Sequence, residues 1–457
     1  MTPLLLVGAL ALGAPTESNW PGFRGDGSSA TATKVPLKWA PNDGVAWRTE
    51  LPGYGQSSPV VWNGRAFVTA VDGAEKDTIL AAGVDLATGK VLWKQTLAGS
   101  QKGKNNPMMS RAGPSPVADA RGVYCFYETG DAVAFDHDGK HLWHRSLAKD
   151  YGEFKNNHGI GSSLAQHGPA VFVLVDHAGP SYLLALDKAT GKELWKAERP
   201  SGTGWTSPVV AELKGKPTVL VSGGGKLTAY DAATGKQLAE LDGLTGNNIP
   251  SPTPAGAVIL VGAAENRMKP DAAASAKSNC AVRFTEKGFE TVWGAKKAIS
   301  HHASPVACGG FAYFVTKTGF VHCLDLKTGE EKFAERLDDQ CWATPVVAGE
   351  HVFFFGKSGV TTVLKAGPEF DVVATNRLWS KDDYAARLEA AKKKAAETMP
   401  KPPEGKGPAG GAPIPKADLD AIRYSAVGDV VYGVAATDGA FLVRTGTELV
   451  CVRAAKR

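Results

Sequence analysis

Along most of the chain, apolar residues come in short runs broken every few positions by Gly, Pro, Asn or Asp. Runs such as Arg65-Ala-Phe-Val68, Gly122-Val-Tyr-Cys-Phe126 and Phe311-Ala-Tyr-Phe-Val315 alternate with the period of two expected of strands. Many runs follow a proline, in Ser58-Pro59-Val60-Val61, Ser115-Pro116-Val117, Ser207-Pro208-Val209-Val210, Ser251-Pro252, Ser304-Pro305-Val306 and Thr344-Pro345-Val346-Val347, and Ser162-Ser163-Leu164 fills one gap. Proline cannot donate to a ladder and drives the residue before it extended, so each phrase predicts the start of an innermost strand.

A second phrase alternates with the first: Asp85-Leu-Ala-Thr88-Gly89-Lys90-Val-Leu-Trp93 and Asp187-Lys-Ala-Thr190-Gly191-Lys192-Glu-Leu-Trp195. Asp136-His-Asp138-Gly139-Lys140-His-Leu-Trp143 is one residue shorter; the copy at Asp231 has Ala239 in the Trp place, and the copy at Asp325 has Phe333. The Asp accepts from turn amides, and the Gly supplies a positive φ. The Trp predicts a ring buried between neighbouring units, with its N–H on a loop carbonyl. The copies average about 48 residues apart if a degraded one lies at 283–293, which is the length of a four-stranded blade.

The expected architecture is an all-β, eight-bladed propeller of four-stranded antiparallel blades. Seven inner strands start near Ser58, Ser115, Ser162, Ser207, Ser251, Ser304 and Thr344. The eighth blade is split: three strands at 431–436, 441–444 and 449–452 await a fourth from Gly44-Val45-Ala46-Trp47-Arg48, which closes the ring and leaves no open edge. Residues 15–44 are read as an extended N-terminal segment and 45–457 as the propeller. At about 375–430 a helix, beginning with the capping-box-like Ser380-Lys-Asp-Asp383, and a Pro/Gly-rich loop interrupt the pattern.

These phrases, with the opening Trp20-Pro21-Gly22-Phe23-Arg24-Gly25, resemble the PQQ-like (pyrroloquinoline-quinone-type) repeat β-propellers, in particular secreted planctomycete-type proteins described as PQQ-binding-like. The resemblance covers nearly the whole chain and implies the fold more than the function. It is compatible with quinoprotein dehydrogenases, which hold PQQ and calcium over the axis, and with cofactor-free propellers that bind other proteins. The dehydrogenases carry an adjacent Cys-Cys disulfide; Cys125, Cys280, Cys308, Cys323, Cys341 and Cys451 include no such pair, and no calcium ligand or base can be carried over. The expectation is therefore a non-catalytic module without a cofactor, the alternative a PQQ-dependent dehydrogenase of alcohols or sugars.

Charge and composition narrow this further. A net charge of +5 over 457 residues, with no basic cluster among stacking aromatics, speaks against nucleic acid. The apolar run at 4–12 is too short to span a bilayer and ends in small residues, so 1–14 is read as a signal peptide, with a periplasmic or extracellular monomer as the product. No basic residue precedes the run, and a disordered apolar terminus or a misplaced start is the alternative. The loops leading into the inner strands should converge on one channel mouth. They carry Gln56, Arg111, Asn157, His158, Trp205, Asn248, His301, His302 and Trp342, the candidate ligand-binding residues for a protein or glycan partner. No catalytic or metal-binding residue is assigned, since the adjacent His301 and His302 should point opposite ways on an extended segment.

Overall fold

The computed structural model describes residues 19–73, 75–103, 112–156, 158–265, 271–398, 433–437 and 439–454. Eight four-stranded antiparallel blades form a ring. Blade 1 runs outward through Val60–Trp62, Arg65–Asp72, Thr78–Asp85 and Val91–Ala98. Blades 2 to 7 repeat this order over 117–146, 165–199, 209–241, 253–294, 306–336 and 346–377. In blade 8, Gly433–Thr437, Ala440–Arg444 and Glu448–Arg453 are completed by Val45–Glu50 as the outer strand, with Trp47 opposite Cys451.

One contact joins blade to blade. The indole N–H of Trp47 donates to Leu86 O (3.2 Å), Trp93 to His137 O (2.8 Å), Trp143 to Lys188 O (2.9 Å), Trp195 to Ala232 O (3.2 Å) and Trp293 to Leu326 O (2.9 Å). Each acceptor follows the turn Asp of the next blade. Under each indole lies that turn's glycine: Gly89, Gly139, Gly191, Gly235 or Gly329, at φ 69–85°, where a Cβ would fall 2.4–2.7 Å from the ring. The glycine is thus required twice, for the turn and for the neighbour's indole.

The degraded copies follow from the same contact. Ala239 stands in the Trp place of blade 4, and blade 5 has the short turn around Gly288 where the Asp-turn belongs. Indole and turn, which dock on each other, are missing together, and Phe284 packs edge-on against Phe289 there (5.4 Å). Between blades 6 and 7, Phe333 meets Phe370 (5.5 Å). Blade 8 has no covalent turn, because its outer strand comes from the other end of the chain. Trp39 wedges into that junction, 6.5 Å from Phe355 and 6.0 Å from Phe441, with its backbone N–H on Asn376 Oδ1.

Around the channel the residue before each inner-strand proline, with Ser163, forms a second chain of contacts. The backbone N–H of Ser58 donates to Ser115 Oγ, Ser115 to Ser163, Ser163 to Ser207, Ser207 to Ser251, Ser251 to Ser304 and Ser304 to Thr344, all at 2.8–3.0 Å. A latch closes the ring: Arg444 of blade 8, fully buried, donates to Ser57 O (3.2 Å) and Thr69 O (2.6 Å) of blade 1.

The N-terminal segment crosses the channel. Trp20 pairs with Val61 of blade 1, Pro21 O accepts from Ala118 N–H of blade 2, and Gly27 lies against Val209 of blade 4. Arg24 reaches Pro252 O (2.7 Å) and Thr253 Oγ1 (2.6 Å) of blade 5, on the opposite side of the ring from blade 1. Ser29 bonds Pro345 O, and Ala30–Thr31 adds a parallel strand to Val346–Ala348 of blade 7. Asn19 and Lys34 bond the turns at Asn63 and Gly439, at the end away from the loops that lead into the inner strands.

Helix Lys381–Thr398 begins as expected, with Ser380 Oγ accepting from Asp383 N–H (3.0 Å). The Pro/Gly-rich stretch and the segment 1–14 read above as a signal peptide lie outside the described residues.

Trp143→Ala is expected to lower stability by about 3–5 kcal/mol in chemical denaturation. Gly191→Ala should act in the same direction, and the double variant should fall short of the sum because both changes remove one contact. Arg24→Ala should release the segment at 19–31 to limited proteolysis while the blades stay protected; an unchanged cleavage pattern would contradict its place in the channel.

Candidate functional site

The loops that precede the inner strands converge at the mouth opposite the N-terminal segment. The predicted residues there fall into two sectors, with Gln56 half-buried beside the Arg444 latch. Arg111 and Asn157 lie outside the described residues.

The first sector spans blades 3 to 5. His158 tilts against Trp205 at 5.7 Å, and the Trp205 indole donates to Gly159 O (3.0 Å). Trp205 N–H donates to Asn248 O (2.7 Å), and Asn248 Oδ1 accepts from Gly224 N–H (3.0 Å). These bonds tie the mouth loops of three blades together, so the ring and amide here already hold the scaffold.

The second sector spans blades 6 and 7. His302 stacks on Trp342 with ring centres 4.3 Å apart and planes 11° from parallel. Lys357 Nζ stands 3.6 Å from the same ring centre. One face has no room for both at these distances, so imidazole and ammonium take opposite faces of the indole. His301 has a different partner, accepting from Lys317 N–H at Nδ1 (3.4 Å), and the two histidines lie on a bend rather than on the extended segment expected.

Lys357 and Asp339 carry no signal in the sequence. Lys357 sits in Gly356-Lys-Ser-Gly359, which reads like any solvated turn, as does Thr316-Lys-Thr-Gly319 one blade earlier. In the fold Lys357 is only 6% exposed, and burial brings its ammonium down to about 8, partly opposed by Asp339. Asp339 accepts from Ser358 N–H (2.7 Å), Ser358 Oγ (2.5 Å) and Gln340 N–H (2.8 Å), and burial holds its carboxyl above the usual range. These bonds pin the loop that carries Lys357.

Two further features lie apart from this sector. Lys76 and Glu128 form a buried pair at 2.7 Å beside a cavity of about 130 Å³ lined partly by Gln101, Phe154 and Asn156. A cleft of about 400 Å³ opens between blades 4 and 5, lined in part by Asp26, Ser28, Lys214, Pro254 and Phe284.

The sequence matches the family described as outer membrane protein assembly factor BamB over residues 18–173, 180–277 and 277–399. The chain belongs to that family, a PQQ-like repeat propeller. No curated protein matches the sequence. Among solved structures, BamB from Moraxella catarrhalis superposes with a TM-score of 0.57 at 13% identity, covering 89% of this chain and 99% of that one. Quinohemoprotein alcohol dehydrogenase from Comamonas testosteroni gives 0.54 at 12%, covering 96% and 81%. The computationally designed Ika8 protein gives 0.51 at 12%, covering 88% and 98%. At these identities the likenesses establish the fold and leave the function to the site.

Lys357 supplies a prediction with a definite sign. Its folded value of about 8 lies below that of an unfolded lysine, so the penalty of the buried charge is fully present below pH 8 and fades as pH rises toward the free-lysine value. Lys357→Met should therefore melt above the parent at pH 7, with the gap shrinking by about pH 9.5 in differential scanning calorimetry.

Proposed function

We propose that the protein is an exported, non-catalytic propeller that binds a protein, or another ligand, at its loop-side mouth. The observation that carries the reading is the one-sidedness of the disc. The chain's own segment from Trp20 to Thr31 fills the far end of the channel, while the opposite mouth gathers indole, imidazole, amide and ammonium groups from at least five blades. A rigid ring with one dressed face is suited to recognition from that side.

The family's description as an assembly factor of the outer membrane agrees with a module that works by contact with other proteins, and supports export together with the apolar run at 4–12. Among the described residues no helix is long and apolar enough to cross a membrane. The reading dispenses with PQQ and calcium. The six cysteines are buried and unpaired, so they form no disulfide clamp. Among the described residues no three His, Cys, Asp or Glu side chains are placed to hold a metal ion.

Photo-crosslinking in the producing cell tests the reading. A benzophenone side chain at Gln56, His158 or His301 should trap a polypeptide, whereas one at Lys214 or Glu350, on the far face, should not. Crosslinks confined to the far face, or absent throughout, would refute the proposal. Incubation with PQQ and calcium provides the other arm: a bound quinone spectrum with alcohol-dependent dye reduction would move the protein to the dehydrogenases.

A further inference from the structure

We propose that the blade 6–7 sector of the mouth anchors a carboxylate of a bound polypeptide, with the Lys357 ammonium as counter-charge and the Trp342–His302 stack as the wall beside it. This deepens the binding-module reading and rests on it.

The argument begins with the buried cations. Among the described residues five lysine and arginine residues are buried: Arg24, Lys76, Lys188, Lys357 and Arg444. Lys76 is paired with Glu128 at 2.7 Å and Lys188 with Asp119 at 2.8 Å. Arg24 and Arg444 donate to carbonyl and hydroxyl oxygens. Lys357 stands apart: among the described residues its Nζ makes no ion pair or hydrogen bond, only the contact over Trp342. A buried ammonium left in that state costs stability, and an indole face offsets only part of it. The nearest candidate partner is committed elsewhere, since turning Asp339 toward Lys357 would release the amides and hydroxyl that hold the loop. Lys357 Nζ is not itself fully enclosed, so an acceptor can reach it from outside.

The same geometry selects the kind of acceptor. Both faces of Trp342 are covered, one by imidazole and one by ammonium, so the indole offers no platform to a flat cofactor or sugar ring. What remains is a single point charge, which suits one carboxylate oxygen pair. A phosphate could meet the same charge, and the phosphate arm of the test below separates the two. Acidic side chains and chain termini are the carboxylates that a protein partner brings.

The test uses the full chain labelled with 5-fluorotryptophan, its Trp342 resonance assigned through Trp342→Phe. The probes, at constant ionic strength, are a capped peptide of alternating Gly and Glu, its Gln counterpart, and inorganic phosphate. The Glu peptide is expected to shift the Trp342 resonance and the Gln peptide to leave it in place. Lys357→Met should weaken the Glu peptide roughly tenfold or more, while Lys357→Arg keeps most of the affinity. The melting comparison above establishes that Lys357→Met is folded. No shift with the Glu peptide, equal binding by the Gln peptide, or unchanged affinity in Lys357→Met each overturns the proposal. A response to phosphate alone overturns it too, in favour of an inorganic oxyanion. Mouth crosslinks in the parent protein that survive these failures would leave the module standing and remove only its anchor. Their absence in the parent would remove the module.

Discussion

The docking of an indole on the next blade's turn is the contact on which the ring depends. It combines three requirements in one place: a hydrogen bond from Nε1, a glycine at positive φ, and the absence of a Cβ where the ring lies. A blade on its own leaves both its indole and its turn glycine uncovered, so each is completed only by its neighbour. This explains why the exceptions are correlated. Where Ala239 replaces the indole, the partner turn has also lost its Asp-x-x-Thr-Gly form. Where the partner turn does not exist as covalent chain, Trp39 enters from the N-terminus to fill the space.

The N-terminal stretch acts three times on the finished ring. Residues 20–31 cross the channel, Trp39 fills the junction between blades 7 and 8, and Val45–Glu50 completes blade 8. Each role ties the start of the chain to strands hundreds of residues away. Sealing one end of the axis also gives the molecule a sidedness that the near-symmetric repeat lacks, and the proposed function follows from that sidedness.

The mouth was legible in outline. Proline-led inner strands imply that the loops before them share one end of the channel, and seven of the nine named residues lie in such loops among the described residues. Trp205, His158 and Asn248 do gather, but largely to bind one another's loops. His302 and Trp342 gather as well, around a lysine that the sequence does not mark. Lys357 and Lys317 stand in turns of the same form; their environments differ because Asp339 and Trp342 close over one of them.

Local sequence alone determined the strands, their order within each blade, the Asp-Gly turns, the number of blades and the split eighth blade, since these depend on period, proline placement and turn chemistry within a few residues. Three features waited on tertiary structure: the Ser/Thr chain around the axis, the path of Trp20 to Thr31 through the channel, and the burial of Lys357. Each requires atoms from different blades to meet. A hydroxyl that caps the next blade's amide, an arginine that reaches across an axis and an ammonium that loses most of its water are encoded in the closed ring, and no single repeat contains them.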